Sequence, residues 1–168
     1  MQMQPESTTY RTIKLELKKP WYINYLKFVF ASEDEPIKIN RNEPLGKLLF
    51  SMVRTSNMPL HLTNDKKFVK LVMPDHKHDT GKYKFMYYTD EDTERISDYI
   101  EAMAYIDHRS MIATGKLDLG MDKKTVISIF STMIYGDDCY EALTKDEYRK
   151  RKKYSIWLQK SAKEFGYR

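Results

Sequence analysis

The chain has 168 residues, of which 41% are hydrophobic, 13% aromatic and 32% charged, with a net charge of +5. That is apolar material for one compact core or two small lobes, and too much Tyr and Phe for a disordered chain. The single cysteine, Cys139, excludes an intramolecular disulfide and suits a reducing compartment, and no apolar run approaches the roughly 18 residues of a membrane span. The polar start, up to Thr9, also lacks a signal peptide's hydrophobic segment, so a soluble, cytoplasmic protein without membrane contact is expected.

Residues 1–9 read as a flexible arm. Thr12 to Leu17 alternates strictly and predicts a strand with Ile13, Leu15 and Leu17 on one face, broken by Lys18-Lys19-Pro20. Trp21 to Phe30 carries strand-forming residues, but Pro20 at a first helical position and Tyr22, Leu26 and Val29 at helical spacing favour a helix. A turn at Ser32–Pro36 leads to a short strand at Ile37–Ile39. Asn42 is then expected to cap a helix with Pro44 near its start and a stripe of Leu45, Leu48, Leu49, Met52 and Val53. Residues 56–66 read as a loop, and Lys67–Met73 and Lys82–Thr89 as two strands of a hairpin joined by 74–81.

From Asp90 onward the pattern is helical. A helix capped by Asp92 or Thr93 should run to about Thr114 and stop at Gly115, burying Ile96, Tyr99, Ile100, Met103, Ile106 and Ser110. Asp122 should cap the next helix, with Val126, Ile127, Phe130, Met133 and Ile134 apolar and Gly136 ending it. A short piece from Asp138 to Leu143, capped by Asp137, leads to Thr144-Lys-Asp-Glu147, which fits a capping box opening a terminal helix. The expected fold is therefore α+β: an N-terminal β-α-β-α-β-β lobe over 10–90, then a helical, basic lobe over 91–168 arranged like a helix-turn-helix.

The terminal stretch carries the charge. Lys145 to Arg168 holds nine Lys/Arg against three Asp/Glu, a local balance of +6 in a chain whose total is +5. On a helix, Arg149, Lys152, Lys153, Lys160 and Lys163 share one face over roughly 20 Å, while Tyr154, Leu158, Ala162 and Phe165 line the other as an apolar, core-facing stripe. Such rows often serve only solubility, but this one is concentrated on a single element and points to a polyanion, most plausibly duplex DNA. In a groove-reading helix, the outward residues of the first half would be Lys145, Tyr148, Arg149, Lys152, Lys153 and Ile156. Arg149 has the guanidinium fork that grips guanine, whereas Lys152, Lys153 and Lys160 suit phosphates. The rival arrangement is a plain three-helix bundle closing the fold.

Several motifs resemble a known group. Ile13-x-Leu15-x-Leu17 with Lys19-Pro20-Trp21-Tyr22, then Pro36-Ile-x-Ile and Leu45-Gly46-Lys47-Leu48, are similar to stretches of small proteins of Bacteroidetes phages and mobile elements. So are Phe130-x-x-x-x-Tyr135-Gly136-Asp-Asp, Leu143 and Tyr148-Arg149-Lys150-Arg151-Lys152. Such proteins are generally held to bind DNA, so the resemblance implies an accessory or regulatory role. The N-terminal lobe would then serve dimerisation or contact with a partner. An adaptor whose basic helix docks on an acidic protein surface is the alternative.

Other chemistry is sparsely signalled. Lys82 to Tyr88 interleaves basic and aromatic residues as base-stacking sheets do. However, a period of two places Tyr83, Phe85 and Tyr87 on one face, which reads as core, and Lys82, Lys84, Met86 and Tyr88 on a solvated back. Asp75, His76, His78 and Asp79 sit on an expected loop with no distant ligand, and His61 and His108 are isolated. Cys139 lies among acids that would discourage its use as a nucleophile. Asp90-Glu91-Asp92 and Asp137-Asp138 fall at helix starts, where acids favour the dipole. With no Walker loop, dinucleotide fingerprint or nucleophile elbow, no enzymatic activity, metal or cofactor is expected.

Overall fold

A computed structural model describes residues 10–59, 66–74, 83–136 and 139–167. The expected flexible arm, His61, the loop residues 75–81, Lys82 and the Asp137-Asp138 cap lie outside the described residues. The fold is α+β, with every described strand in the first 90 residues. Two compact units divide between Ala104 and Tyr105, inside a long helix that starts where the sequence suggested a lobe boundary.

In the first unit, β1 (Tyr10–Glu16) pairs antiparallel with β4 (Phe68–Pro74), and β2 (Ile37–Lys38) pairs parallel with the other edge of β4. The alternation read in β1 holds, because Ile13 and Leu15 are buried while Thr12 and Lys14 are exposed. Val69, Leu71 and Met73 of β4 and Ile37 and Ile39 beside it are buried as well. The aromatic stretch after Pro20 forms α1 (Tyr22–Val29), whose Tyr22, Tyr25 and Leu26 are buried at i, i+3 and i+4. Helix α2 (Pro44–Ser51) buries Leu45, Gly46 and Leu49; its N-cap is Glu43, not the expected Asn42, whose amide instead donates to the Asn40 side chain. Gly46 is required there, since a Cβ would overlap the Asn40 carbonyl.

The expected hairpin does not form among the described residues. β5 (Phe85–Tyr87) pairs with an additional strand, β3 (Arg54–Ser56), in a second, two-stranded sheet, and β4 belongs to the first. The faces of β5 are also reversed: Met86 is buried, while Phe85 and Tyr87 are half-buried. A three-residue strand shows two faces by its period, but its packing decides which one points inward.

Helix α3 (Asp90–Leu117) is longer than expected at both ends. Its cap is a capping box at Thr89: the Asp92 amide donates to Thr89 Oγ1 at 3.1 Å, and the Thr89 amide donates to Asp92 Oδ2 at 3.2 Å. Gly115 lies in its interior, buried, where a Cβ would come 2.5 Å from Val126 Cγ2. One buried row of α3 recurs every fourth position at Ile96, Ile100, Ala104, His108 and Ile112, whereas Ile106 and Ser110, expected to be buried, are exposed.

In the second unit, Asp122 caps α4 (Lys123–Phe130) as expected, its carboxylate accepting from the Thr125 amide at 2.7 Å. A π-helical turn, Ser131–Tyr135, follows, and Gly136 ends it at a φ of 88°, a conformation side chains resist. Phe130 and Ile134 are buried, and the Phe130 ring lies 4.7 Å from that of His108. Ile112, Val126 and Ile127 form a core cluster, against which Met111, Met121, Tyr140 and Leu143 pack.

The last helix departs most from expectation. Helix α5 runs unbroken over Tyr140–Glu164, so the short positioning helix and the terminal helix are one element. Thr144 is not a cap. Its hydroxyl donates back to the Tyr140 carbonyl at 2.8 Å, inside a continuing helix. Tyr140, Leu143 and Glu147 share one side of α5 at i, i+3 and i+7, and the packing of that side keeps the helix running through the expected turn. The helix-turn-helix with a short middle helix is thereby excluded.

Candidate nucleic-acid interface

The docked part of α5 is fixed by an ionic cluster. Glu147 is the one buried residue of α5, with its side chain 2% exposed. Its Oε1 lies 2.7 Å from Arg109 Nη1 on α3, and its Oε2 pairs with Lys123 Nζ on α4. A carboxylate that far from water needs such compensation, and here two cations supply it. His108 is buried next in sequence to Arg109, with no hydrogen-bond partner at Nε2. Burial pushes its pKa down, opposed by the carboxylates of Glu147 and Asp146 and reinforced by Arg109 and Lys123. On the same helix, Lys150 is drawn toward the docked side, 2.9 Å from Asp146 and 3.5 Å from the centre of the Tyr105 ring.

The remaining cations face away. Lys145, Arg149, Lys152, Lys153, Lys160 and Lys163 are all exposed, and none forms an ion pair with a described residue. At 100° per residue they fall within about a quarter of the helix circumference, opposite Tyr140, Leu143 and Glu147. Tyr148, with Arg151 6.0 Å from the centre of its ring, and Ile156 are exposed beside the row. The row is thus an unobstructed strip of positive charge on a rigid rod roughly 27 Å long between its end residues.

The apolar stripe is a correction. Tyr154, Leu158 and Phe165 were expected to pack into a core, yet they are 46%, 59% and 77% exposed, and Trp157 beside them is 62% exposed. From Arg151 to Lys160 every residue is exposed, so among the described residues no element covers this half of α5. The stripe continues the side on which Tyr140, Leu143 and Glu147 dock, but the helix outruns its support.

Among the described residues, no group of three or more His, Cys, Asp or Glu side chains stands close enough to hold a metal ion. No described helix is long and apolar enough to cross a membrane. No family model, curated protein or solved structure matches the chain.

Proposed function

We propose that the chain binds double-stranded DNA through the exposed cation row of α5, in an accessory or regulatory role. The observation that carries this reading is the set of six exposed cations, none paired with a described acid, confined to one face of a helix whose other side anchors it to the fold. A duplex offers one phosphate charge per about 1.7 Å of axis, and an α-helix fits the major groove, about 12 Å wide. Without the sharp turn of a helix-turn-helix, α5 meets DNA as a single straight helix, much as a continuous basic region does. Arg149 is the base reader and Lys152, Lys153 and Lys160 are phosphate anchors. The accessory or regulatory role rests on the resemblance of the motifs to proteins of phages and mobile elements.

A gel-shift selection from random duplexes, followed by titration of the selected site, tests the reading. Arg149→Ala is expected to weaken the selected site by about 1–3 kcal/mol and to relax its sequence preference, while Lys160→Ala weakens all duplexes alike. Equal, sequence-blind losses at both positions would remove the claim of sequence preference. The exposed Tyr154, Trp157, Leu158 and Phe165 stripe supports a second reading, in which α5 lies in an apolar groove rimmed by acids on a partner protein. That reading requires the chain to bind an acidic partner protein rather than duplex DNA, and Trp157→Ala to abolish that binding.

A further inference from the structure

The first unit contains a cleft of about 850 Å³ that α5 does not line. One wall is β1, with Arg11 beside Thr12, Lys14 and Glu16 of its outer side; the other is β5 and its flanks, from Lys84 to Tyr88. Pro59, Lys66, Phe68 and the start of α3, at Asp90 and Thr93, complete the lining. The volume lies within the usual range for small-ligand sites, about 300–1,000 Å³.

The side chains are of two kinds. Phe68, Phe85 and Tyr87 are half-buried aromatic residues, the latter two on the face of β5 that alternation had assigned to the core. The charged residues are Arg11, Lys14, Lys66 and Lys84 against Glu16 and Asp90, an excess of two positive charges. Both carboxylates already serve Lys66, whose Nζ lies 3.3 Å from Glu16 Oε2 and 3.1 Å from Asp90 Oδ1. The Arg11 guanidinium donates to the Tyr83 carbonyl, tying the two walls together. Lys14 and Lys84 are exposed, with no described acidic partner. An uncompensated pair of cations beside aromatic side chains suits a ligand that is flat, apolar on its faces and anionic at one end.

We infer that this cleft binds a nucleotide unit, its base stacked among Phe85, Tyr87 and Phe68 and its phosphate held by Lys14 and Lys84. Stacking accepts any base, because each has a π-face, and lysines meet phosphate without demanding geometry. A free mononucleotide and one residue of a single strand present the same chemistry. A duplex does not, because its bases are already stacked and paired.

The test uses the full chain carrying Lys145→Ala, Arg149→Ala, Lys152→Ala, Lys153→Ala, Lys160→Ala and Lys163→Ala, so that the α5 row does not contribute. Fluorescence anisotropy with a labelled oligo-dT octamer, with unlabelled dTMP as competitor and a 20-bp duplex as control, reads the cleft at roughly 150 mM salt, where loose phosphate contacts are weakened. The octamer is expected to bind, and Tyr87→Ala to weaken it by roughly 5- to 150-fold, the range for one lost stacked base. Lys14→Ala with Lys84→Ala, both at exposed positions that leave the fold alone, is expected to weaken it at least fivefold. Competition by dTMP assigns the site to a free nucleotide; octamer binding without such competition assigns it to a single strand. Failure of both probes to bind, binding indifferent to the two lysines, or equal binding of the duplex would overturn the inference. None of these outcomes bears on duplex binding by α5 in the unaltered chain.

Discussion

Replacing Glu147 by alanine should loosen α5 from the second unit. The carboxylate is 2% exposed and bridges Arg109 and Lys123, whose side chains are 31% and 24% exposed. Breaking a fully buried pair costs about 3–5 kcal/mol, whereas exposed pairs contribute about 0.2–1 kcal/mol. The stranded cations here can partly rehydrate, so the expected cost is about 2–3 kcal/mol. Glu147→Gln keeps the shape and one acceptor and should cost about half of that. Urea unfolding followed by far-UV circular dichroism reads the difference. With a slope of about 1–3 kcal/mol/M, the alanine variant should lose about 1–2 M in midpoint. Because the pair is buried, screening is weak and the shift should persist at high salt. An unmoved midpoint, or a shift that vanishes in salt, would mean that Glu147 is solvated and α5 is held by something else.

Phe130 and Leu158 should behave oppositely, although both belong to apolar stripes. Phe130→Ala is expected to cost about 3–5 kcal/mol, because the ring is fully buried, and Leu158→Ala, at 59% exposure, less than about 0.5 kcal/mol in urea denaturation. A large loss at Leu158 would show that the outer half of α5 is covered. The Arg54 side chain and the Thr89 amide hold the Asp92 carboxyl at a pKa of about 2, below its ordinary 3.8. A depressed carboxyl stabilises the fold fully above its unfolded pKa, and this contribution is lost as pH falls from about 4 through 2. Its full value would be about 2.4 kcal/mol, discounted to about 1–2 because Arg54 is half-exposed. Thermal melts of the unaltered chain and Asp92→Asn should therefore converge between pH 4 and 2; a constant gap would refute the assignment.

What the sequence revealed was what local chemistry decides. The alternation of β1, the spacing of Tyr22 and Leu26, the Asp122 cap and the Gly136 stop each depend on a few neighbouring residues, and each is found. The strand partners were not legible. β4 pairs with β1 across more than fifty residues, and nothing within Phe68–Tyr87 distinguishes that from a local hairpin. The T-x-x-acid pattern of a capping box occurs at Thr89–Asp92, where Asp92 or Thr93 was the expected cap, and at Thr144–Glu147, where the box itself was expected. The first forms; the second yields because Glu147 is needed by Arg109 and Lys123 and because Leu143 docks. Periodicity identified the stripe through Tyr154 and Leu158, but a stripe does not indicate whether anything covers it. For the candidate interface, the charge count located the cations, and the exposure of all six follows from their position opposite the docked side.

The central claim is that the cation row of α5 binds duplex DNA, and the salt dependence of that binding tests it most directly. The affinity of the full chain for a 20-bp duplex should be measured by anisotropy from roughly 50 to 250 mM salt. If five or six cations meet phosphates, the log–log slope should be about −4.5 to −5.4, and should become shallower by about 2 when Lys152→Ala and Lys153→Ala are combined. No binding at the lowest salt and micromolar protein, or a slope unchanged by the two substitutions, would contradict the account.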